Sequence, residues 1–212
     1  MKTSIALKSL LGAGALTLPL MAFAESNIQT GAATAAPGAT AHVDFSIVIP
    51  KILYLRVGSG SAYASGTLAS ANTIDLITFS PAAGTVGNGT PVAGTGGDLT
   101  GGVETAAIVS NSGNVTLNAT AGGALGDGNG DTIPFTQITT AATTLTSGTP
   151  LPAPVLTNGT SSNVVLTAPA TKLIVQDAKW TYSYANAANV PAGTYGGVNT
   201  NNSRVTYTAT MP

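Results

Sequence analysis

The C-terminal stretch, residues 179–212, constrains the fold more than any other part of the chain. Trp180, Tyr182 and Tyr184 alternate with polar residues, and residues 205–211 alternate in the same way. Period-two alternation of aromatic and β-branched residues predicts strands with one face buried and one face in water. The only tryptophan and four of the six tyrosines lie here, and such side chains dominate core burial. The sequence therefore predicts an all-β fold that ends in a pair of strands with large inward side chains.

Other short apolar runs follow one another at roughly even spacing along the chain. Together with the terminal pair they predict an immunoglobulin-like or jelly-roll antiparallel β-sandwich of about nine short strands. Residues 52–57 are almost continuously apolar, which predicts a central strand. The short Asn/Gly turn at residues 111–114 lies between two alternating runs and predicts a β-hairpin. The predicted strands before the terminal pair are residues 42–49, 52–57, 73–79, 103–109, 114–120, 133–138, 163–168 and 173–175.

The N-terminal residues have the organisation of an export signal. A basic start that includes Lys2 and Lys8 is followed by an apolar run and by Ala22-Phe23-Ala24, a small-x-small cleavage pattern. We therefore expect a signal peptide at residues 1–24, a flexible leader at residues 25–40 and one β-sandwich domain at residues 41–212. The expected location is the periplasm, the outer cell surface or the extracellular space, after export through the inner membrane. No later stretch is long and apolar enough for a transmembrane anchor.

Charge is scarce in this chain, and its balance excludes one class of partner. Charged residues make up 7% of the sequence, and five cations face eight acids once the expected signal peptide is removed. No basic patch can neutralise phosphates, so we expect no nucleic-acid binding. A surface of threonine, serine, asparagine, glycine and alanine suits packing against copies of the same chain or other surface material, since soluble monomers usually keep charged surfaces. The chain has no cysteine, so no disulfide can stabilise it.

One loop has the oxygen spacing of a calcium site. Asp127, Asn129 and Asp131 stand at alternate positions, as in the first half of an EF-hand loop. The EF-hand pattern then requires glycine at the sixth position and glutamate at the twelfth, where this chain has Thr132 and Ile138. These three residues remain candidates for a looser calcium site. The alternative interpretation is a Gly/Asn/Asp turn between strands.

The sequence offers no set of residues typical of an enzyme active site. His42 is the only histidine, and a catalytic dyad with Asp44 would still need a nucleophile. The only glutamates after the signal peptide are Glu25 and Glu104, and nothing places two carboxylates opposite each other as glycoside hydrolysis requires. We therefore predict no enzymatic activity and no cofactor. Trp180, with Tyr182 and Tyr184, could form a sugar-stacking platform, but a place in the core is the favoured interpretation.

Two short motifs resemble a known class of exported proteins. The turn Pro191-Ala192-Gly193-Thr194-Tyr195, followed by a final strand of alternating threonine and tyrosine, resembles the C-terminal strand entry of bacterial pilin-like and spore-coat-U-like β-sandwich subunits. The start Asp44-Phe45-Ser46-Ile47-Val48-Ile49-Pro50 and the end at residues 204–212 resemble uncharacterised exported proteobacterial proteins. Two features depart from the pilin pattern: the chain lacks a cysteine pair, and residues 25–40 lack bulky alternating side chains.

The resemblance implies assembly by strand complementation, in which a neighbour's N-terminal strand fills a groove in an incomplete sandwich. The candidate donor residues are Val43, Phe45, Ile47 and Ile49. The alternative is that these residues form the domain's own first strand. The sequence thus predicts a non-enzymatic structural or adhesive surface protein, a fimbria-like subunit that forms homopolymers or joins surface assemblies. The alternative function is a monomeric secreted module that binds carbohydrate or matrix through the glycine-rich loops.

Overall fold

The computed structural model describes residues 26–34, 37–59, 63–64, 66 and 68–212, so the predicted signal peptide lies outside the described residues. The described chain is almost entirely β-structure, with single 3₁₀ turns at Ala83–Thr85 and Phe135–Gln137. All strand pairings are antiparallel, which confirms the predicted all-β antiparallel fold class. The strands are β1 (Leu53–Val57), β2 (Ile77–Thr78), β3 (Val92–Ala93), β4 (Thr95–Gly96), β5 (Val103–Ser110), β6 (Val115–Ala121), β7 (Leu125–Gly126), β8 (Thr132–Ile133), β9 (Ile138–Thr143), β10 (Val164–Leu166), β11 (Ile174–Tyr184) and β12 (Val205–Thr210).

The larger of the two main sheets is built around β11. One side of β11 pairs with β5 and, further along, with β3, while its other side pairs with β9. β1 pairs with the far side of β5 and forms an edge of this sheet. The inner face of β11 carries Ala178, Trp180 and Tyr182, all buried, as the alternation predicts.

The smaller main sheet has the order β10-β6-β12, with β6 in the centre. Its inner residues pack against those of the larger sheet in one hydrophobic core, which makes the fold a two-layer β-sandwich. Val115 and Leu117 from one sheet and Ile108 and Trp180 from the other are fully buried in this core. The β2-β4 and β7-β8 pairs form two further small sheets.

The predicted hairpin around residues 111–114 is wrong. β5 pairs with β1 and β11, whereas β6 pairs with β10 and β12, so the two consecutive strands belong to different sheets. The connection is an arch across the sandwich. The polar groups of the turn bond elsewhere in the chain: Gly113 N–H donates to the carbonyl of Lys172, and Ala168 N–H donates to the side-chain oxygen of Asn114.

Several strand boundaries also differ from the sequence prediction. β1 lies at the edge of its sheet and not at the centre, because among the described strands β5 alone pairs with it. The predicted strand at residues 73–79 shortens to β2. The last six residues of β11 pair with β9, a strand that lies mostly in a stretch interpreted as a Thr/Pro-rich connection. Residues 174–184 form one continuous strand, since the predicted break after residue 175 is bridged by β5.

The chain divides into two compact units, residues 1–49 and residues 50–212. Every strand lies in the second unit. In the first unit, the described residues 26–34 and 37–49 form no helix and no strand. Throughout the part of the chain that the structure describes, no helix has the length and apolar character needed to cross a membrane.

Candidate functional site

The candidate donor residues lie in residues 42–49, a stretch that we call the N-terminal segment. This segment is assigned to no strand, and His42 and Asp44 are exposed within it. Its alternating apolar side chains are also exposed, whereas an alternating strand normally buries one face. Val43, Phe45, Ile47 and Ile49 are 72, 86, 86 and 75% exposed.

The two sheets leave an incompletely covered side, which we call the seam. It consists of the inner residues of β1 and β12, each the outermost strand of its sheet, and these two strands pack beside each other. Inner residues of the central strands β5, β6 and β11 are mostly buried, whereas those of the seam are only partly buried. The seam side chains are Leu53, Leu55 and Val57 from β1, with Val205, Tyr207 and Ala209 from β12.

Aromatic residues form the floor behind the seam. The ring centroids of Trp180 and Tyr207 lie 5.3 Å apart, and the hydroxyl groups of Tyr182 and Tyr207 share a hydrogen bond of 2.8 Å between the two sheets. The indole N–H of Trp180 donates to the carbonyl of Leu151 at 2.8 Å. Burial raises the pKa of Tyr207 to about 12. Trp180, Tyr182 and Tyr184 are buried, so the favoured interpretation of these rings as core is confirmed.

One asparagine in the arch, Asn111, forms two hydrogen bonds with the residues just before β1. The side-chain oxygen of Asn111 accepts the N–H of Ile52 at 2.8 Å, and its amide donates to the carbonyl of Pro50 at 2.8 Å. These two hydrogen bonds connect the arch to the residues that precede β1.

The calcium candidates Asp127, Asn129 and Asp131 lie in the tight loop between β7 and β8. One oxygen of Asp127 accepts the N–H groups of Asn129 and Asp131, at 2.8 and 3.1 Å, so that carboxylate closes the turn. The hydrogen bond from Asn129 N–H is the main reason why the pKa of Asp127 is lowered. Within the described residues, no group of three histidine, cysteine or acidic side chains has a metal-binding arrangement. A calcium site that includes the Asn129 amide oxygen stays a prediction.

The structure also brings together acidic residues that sequence reasoning did not connect. Glu104, on β5, is 5% exposed, and its carboxyl group is hydrogen-bonded to that of Asp75, from the segment before β2. Asp98 donates its backbone N–H to Glu104 at 3.3 Å and accepts the backbone N–H of Thr105 at 2.7 Å. Two carboxyl groups in direct hydrogen-bond contact lack the separation of 5 Å or more that glycosidases use, roughly the space for a substrate. No local sequence signal could find this pair, because its members are distant in the chain.

A shallow depression of about 500 Å³ lies beside the start of β12. Its lining includes the side chains of Asn199, Asn201, Asn202 and Arg204, and it contains no aromatic ring on which a sugar could stack. The three asparagines have positive φ angles of 53°, 50° and 61°, a conformation that asparagine tolerates better than most residues. These side chains therefore shape a turn.

Comparison of the chain with protein-family models, with curated protein sequences and with solved structures finds no match.

Proposed function

We propose that this protein is an exported, non-enzymatic subunit of a surface filament, and that the N-terminal segment of one copy occupies the seam of the next. The single observation that carries this proposal is the exposure of the alternating side chains Val43, Phe45, Ile47 and Ile49 in a stretch that is assigned to no strand. The expected export signal at residues 1–24 supports the location.

The energetics of burial favour an occupant for this segment. Removing one such apolar side chain from water stabilises a complex by about 1.5–3 kcal/mol. Four of them offer roughly 6–12 kcal/mol, which is comparable to the cost of association and ordering. The backbone adds hydrogen bonds, since β1 and β12 are outermost strands whose outer edges can accept another strand.

The seam offers an alternating strand apolar side chains that are not yet fully covered. Its side chains are apolar and partly buried, so an added strand would complete the core between the two sheets.

The first test compares the two faces of the N-terminal segment. The full chain is produced with its export signal, and the size of the assembled protein is measured by light scattering and negative-stain microscopy. We expect filaments from the unaltered chain, folded monomers from the double variant Phe45→Asp with Ile47→Asp, and filaments from Val48→Asp. Val48 is the matched control, because it is 89% exposed and, in a β-strand, would face the side opposite to Phe45 and Ile47. A monomer from the unaltered chain at every concentration contradicts the proposal.

A second test locates the acceptor strand by disulfide cross-linking. Introduced cysteines can be used because the chain has no native cysteine. Ile47→Cys and Ala209→Cys are introduced into separate preparations, which are mixed and oxidised. We expect a disulfide-linked heterodimer, and little of it when Val48→Cys replaces Ile47→Cys. Equal yields from both pairs would show that the contact is not a face-specific docking on β12.

A further inference from the structure

We propose that Asp75 and Glu104 form a pH-sensitive latch that holds the segment before β2, at Asp75, against the turn that follows β1 when the two carboxyl groups share a proton and loosens this contact when both ionise. This inference goes beyond the proposed function and does not depend on it.

The geometry of the pair is set by the strand register. Glu104 lies directly opposite Trp180 in the β5–β11 pairing, on the face that carries Ala106 and Ile108 into the core. An ionised carboxylate at that position has little water around it, which is costly unless it is compensated. The shared proton removes that cost and supplies the hydrogen bond to Asp75.

The latch closes over a glycine at the end of β1. Gly58 has a φ of 59°, and any side chain there would collide with the carboxyl groups of both Glu104 and Asp75. The second Asp75 contact is the N–H of Ser59, which donates to its carboxylate at 2.7 Å. Asp75 therefore connects the segment before β2 to both β1 and β5.

The cation that the described residues place beside this pair is Arg56, which also contacts a third carboxylate. From β1, Arg56 forms an ion pair of 3.5 Å with Asp98, whose side chain is fully buried. The ring of Tyr63 lies 5.5 Å from the guanidinium carbon of Arg56. Among the described residues, ionisation of Asp75, Asp98 and Glu104 together places three negative charges near the one positive charge of Arg56. From β11, the exposed Lys179 is paired in register with Thr105, on the opposite face from Glu104.

The pH range follows from the pKa of Glu104. Burial, with the charge of Asp75 as the second cause, raises it to about 8 from its usual 4.5. The folded protein thus keeps a proton that the unfolded chain loses, so the stability from this group is complete below about pH 4.5 and is lost as the pH rises through about 8. The remaining groups near Glu104 are Tyr182 and Tyr207, and burial raises the pKa of both, so they keep their protons over this range.

The test measures thermal unfolding by Trp180 fluorescence on the full chain at about pH 5 and about pH 9. We expect the unaltered protein to lose at least about 5 °C in Tm between these values, and Glu104→Gln to lose much less. Asp75→Asn is the second variant, because it keeps the shape of the site while removing the neighbouring charge, and it should also reduce the pH dependence. Asp131→Asn, an exposed control, should behave as the unaltered protein.

Hydrogen exchange by mass spectrometry separates a latch from a general loss of stability. After correction for intrinsic exchange rates, the amide of Ser59, which donates to Asp75, should lose protection between about pH 7 and about pH 9 while residues 174–184 keep theirs. Equal pH dependence in the unaltered chain and in both latch variants would overturn the proposal. Unchanged protection of the Ser59 amide would overturn it as well.

Discussion

The N-terminal segment and β12 are two alternating stretches of similar length with opposite surroundings. β12 pairs along its whole length with β6, and Tyr207 in its middle contacts Trp180 and Tyr182. The N-terminal segment carries Phe45 and Ile47 in the same alternation, yet both are 86% exposed. Alternation therefore defines which side chains can be buried together, but burial itself depends on a partner strand. We therefore expect the partner strand of the N-terminal segment to come from another copy of the chain.

The largest expected effect comes from matched truncations in the two stretches. Tyr207→Ala should lower the free energy of unfolding by about 3 kcal/mol, because it removes a large core side chain and the Tyr182 hydrogen bond. Phe45→Ala in the monomer should change it by less than about 0.5 kcal/mol. Urea titration followed by Trp180 fluorescence measures both values. A loss above about 1 kcal/mol for Phe45→Ala would mean that the segment packs within its own chain.

The next effect distinguishes stability that comes from hydrogen bonds to a buried carboxylate from association through apolar side chains. Asp177 on β11 accepts the N–H groups of Thr146 and Ser147, at 2.8 and 2.7 Å. Burial of Asp177 acts to raise its pKa, but the hydrogen bonds from Thr146 and Ser147 outweigh it, so the pKa is lowered. The associated stability is present above the usual carboxyl pKa of 3.8 and is lost as the pH falls below it.

Asp177→Asn should therefore destabilise the fold by about 2 kcal/mol at neutral pH and flatten its response to acid. Filament association through apolar side chains should respond little over the same acid range. Urea titrations at several pH values measure the first effect, and light scattering measures the second. An unchanged acid response in Asp177→Asn would contradict the assignment.

A smaller effect concerns the start of β1, which follows the N-terminal segment along the chain. Asn111→Ala removes both side-chain hydrogen bonds to the start of β1, and should lower the free energy of unfolding by about 1–2 kcal/mol. Asn114→Ala, which removes one hydrogen bond from the same arch, is the matched comparison and should cost about half as much.

The smallest effects on stability and assembly are expected from substitutions on the solvent-facing sides of the N-terminal segment and β12. Ser46→Val in the N-terminal segment and Thr208→Val in β12 both place a β-branched apolar residue at an exposed alternating position. Each should change the free energy of unfolding by less than about 0.5 kcal/mol, and neither should change filament length. A strong effect of Ser46→Val on assembly would show that the opposite face of the segment takes part in the contact.

The sequence predicts the parts of this fold that local patterns determine. The alternation in residues 205–211 and the apolar run in residues 163–168 correspond to β12 and β10, and the aromatic side chains are buried as expected. The arch at residues 111–114 shows the limit, because the same Asn/Gly turn residues serve a hairpin within one sheet and a crossing between two sheets. Which one forms depends on β11 and β12, which follow more than fifty residues later.

The candidate sites also differ in whether a sequence pattern reveals them. The alternation of Val43, Phe45, Ile47 and Ile49 is visible in the sequence, although their exposure is not. The Asp75–Glu104 pair has no local signal, since it exists only because β5 and the segment before β2 both meet the end of β1. A sequence pattern can identify side chains suited to a contact, whereas three-dimensional pairing decides which contacts exist.

The late position of β11 has a consequence for how the chain reaches its native state. A chain is synthesised from its N-terminus, and until residues 174–210 exist, β5 has only β1 beside it and β6 has only β10. Neither layer can close during most of synthesis, and such non-local pairing makes folding slow. Half-built sheets expose strand edges that aggregate or attract proteases. We therefore expect the chain to need protection by other proteins for longer than one whose sheets close strand by strand.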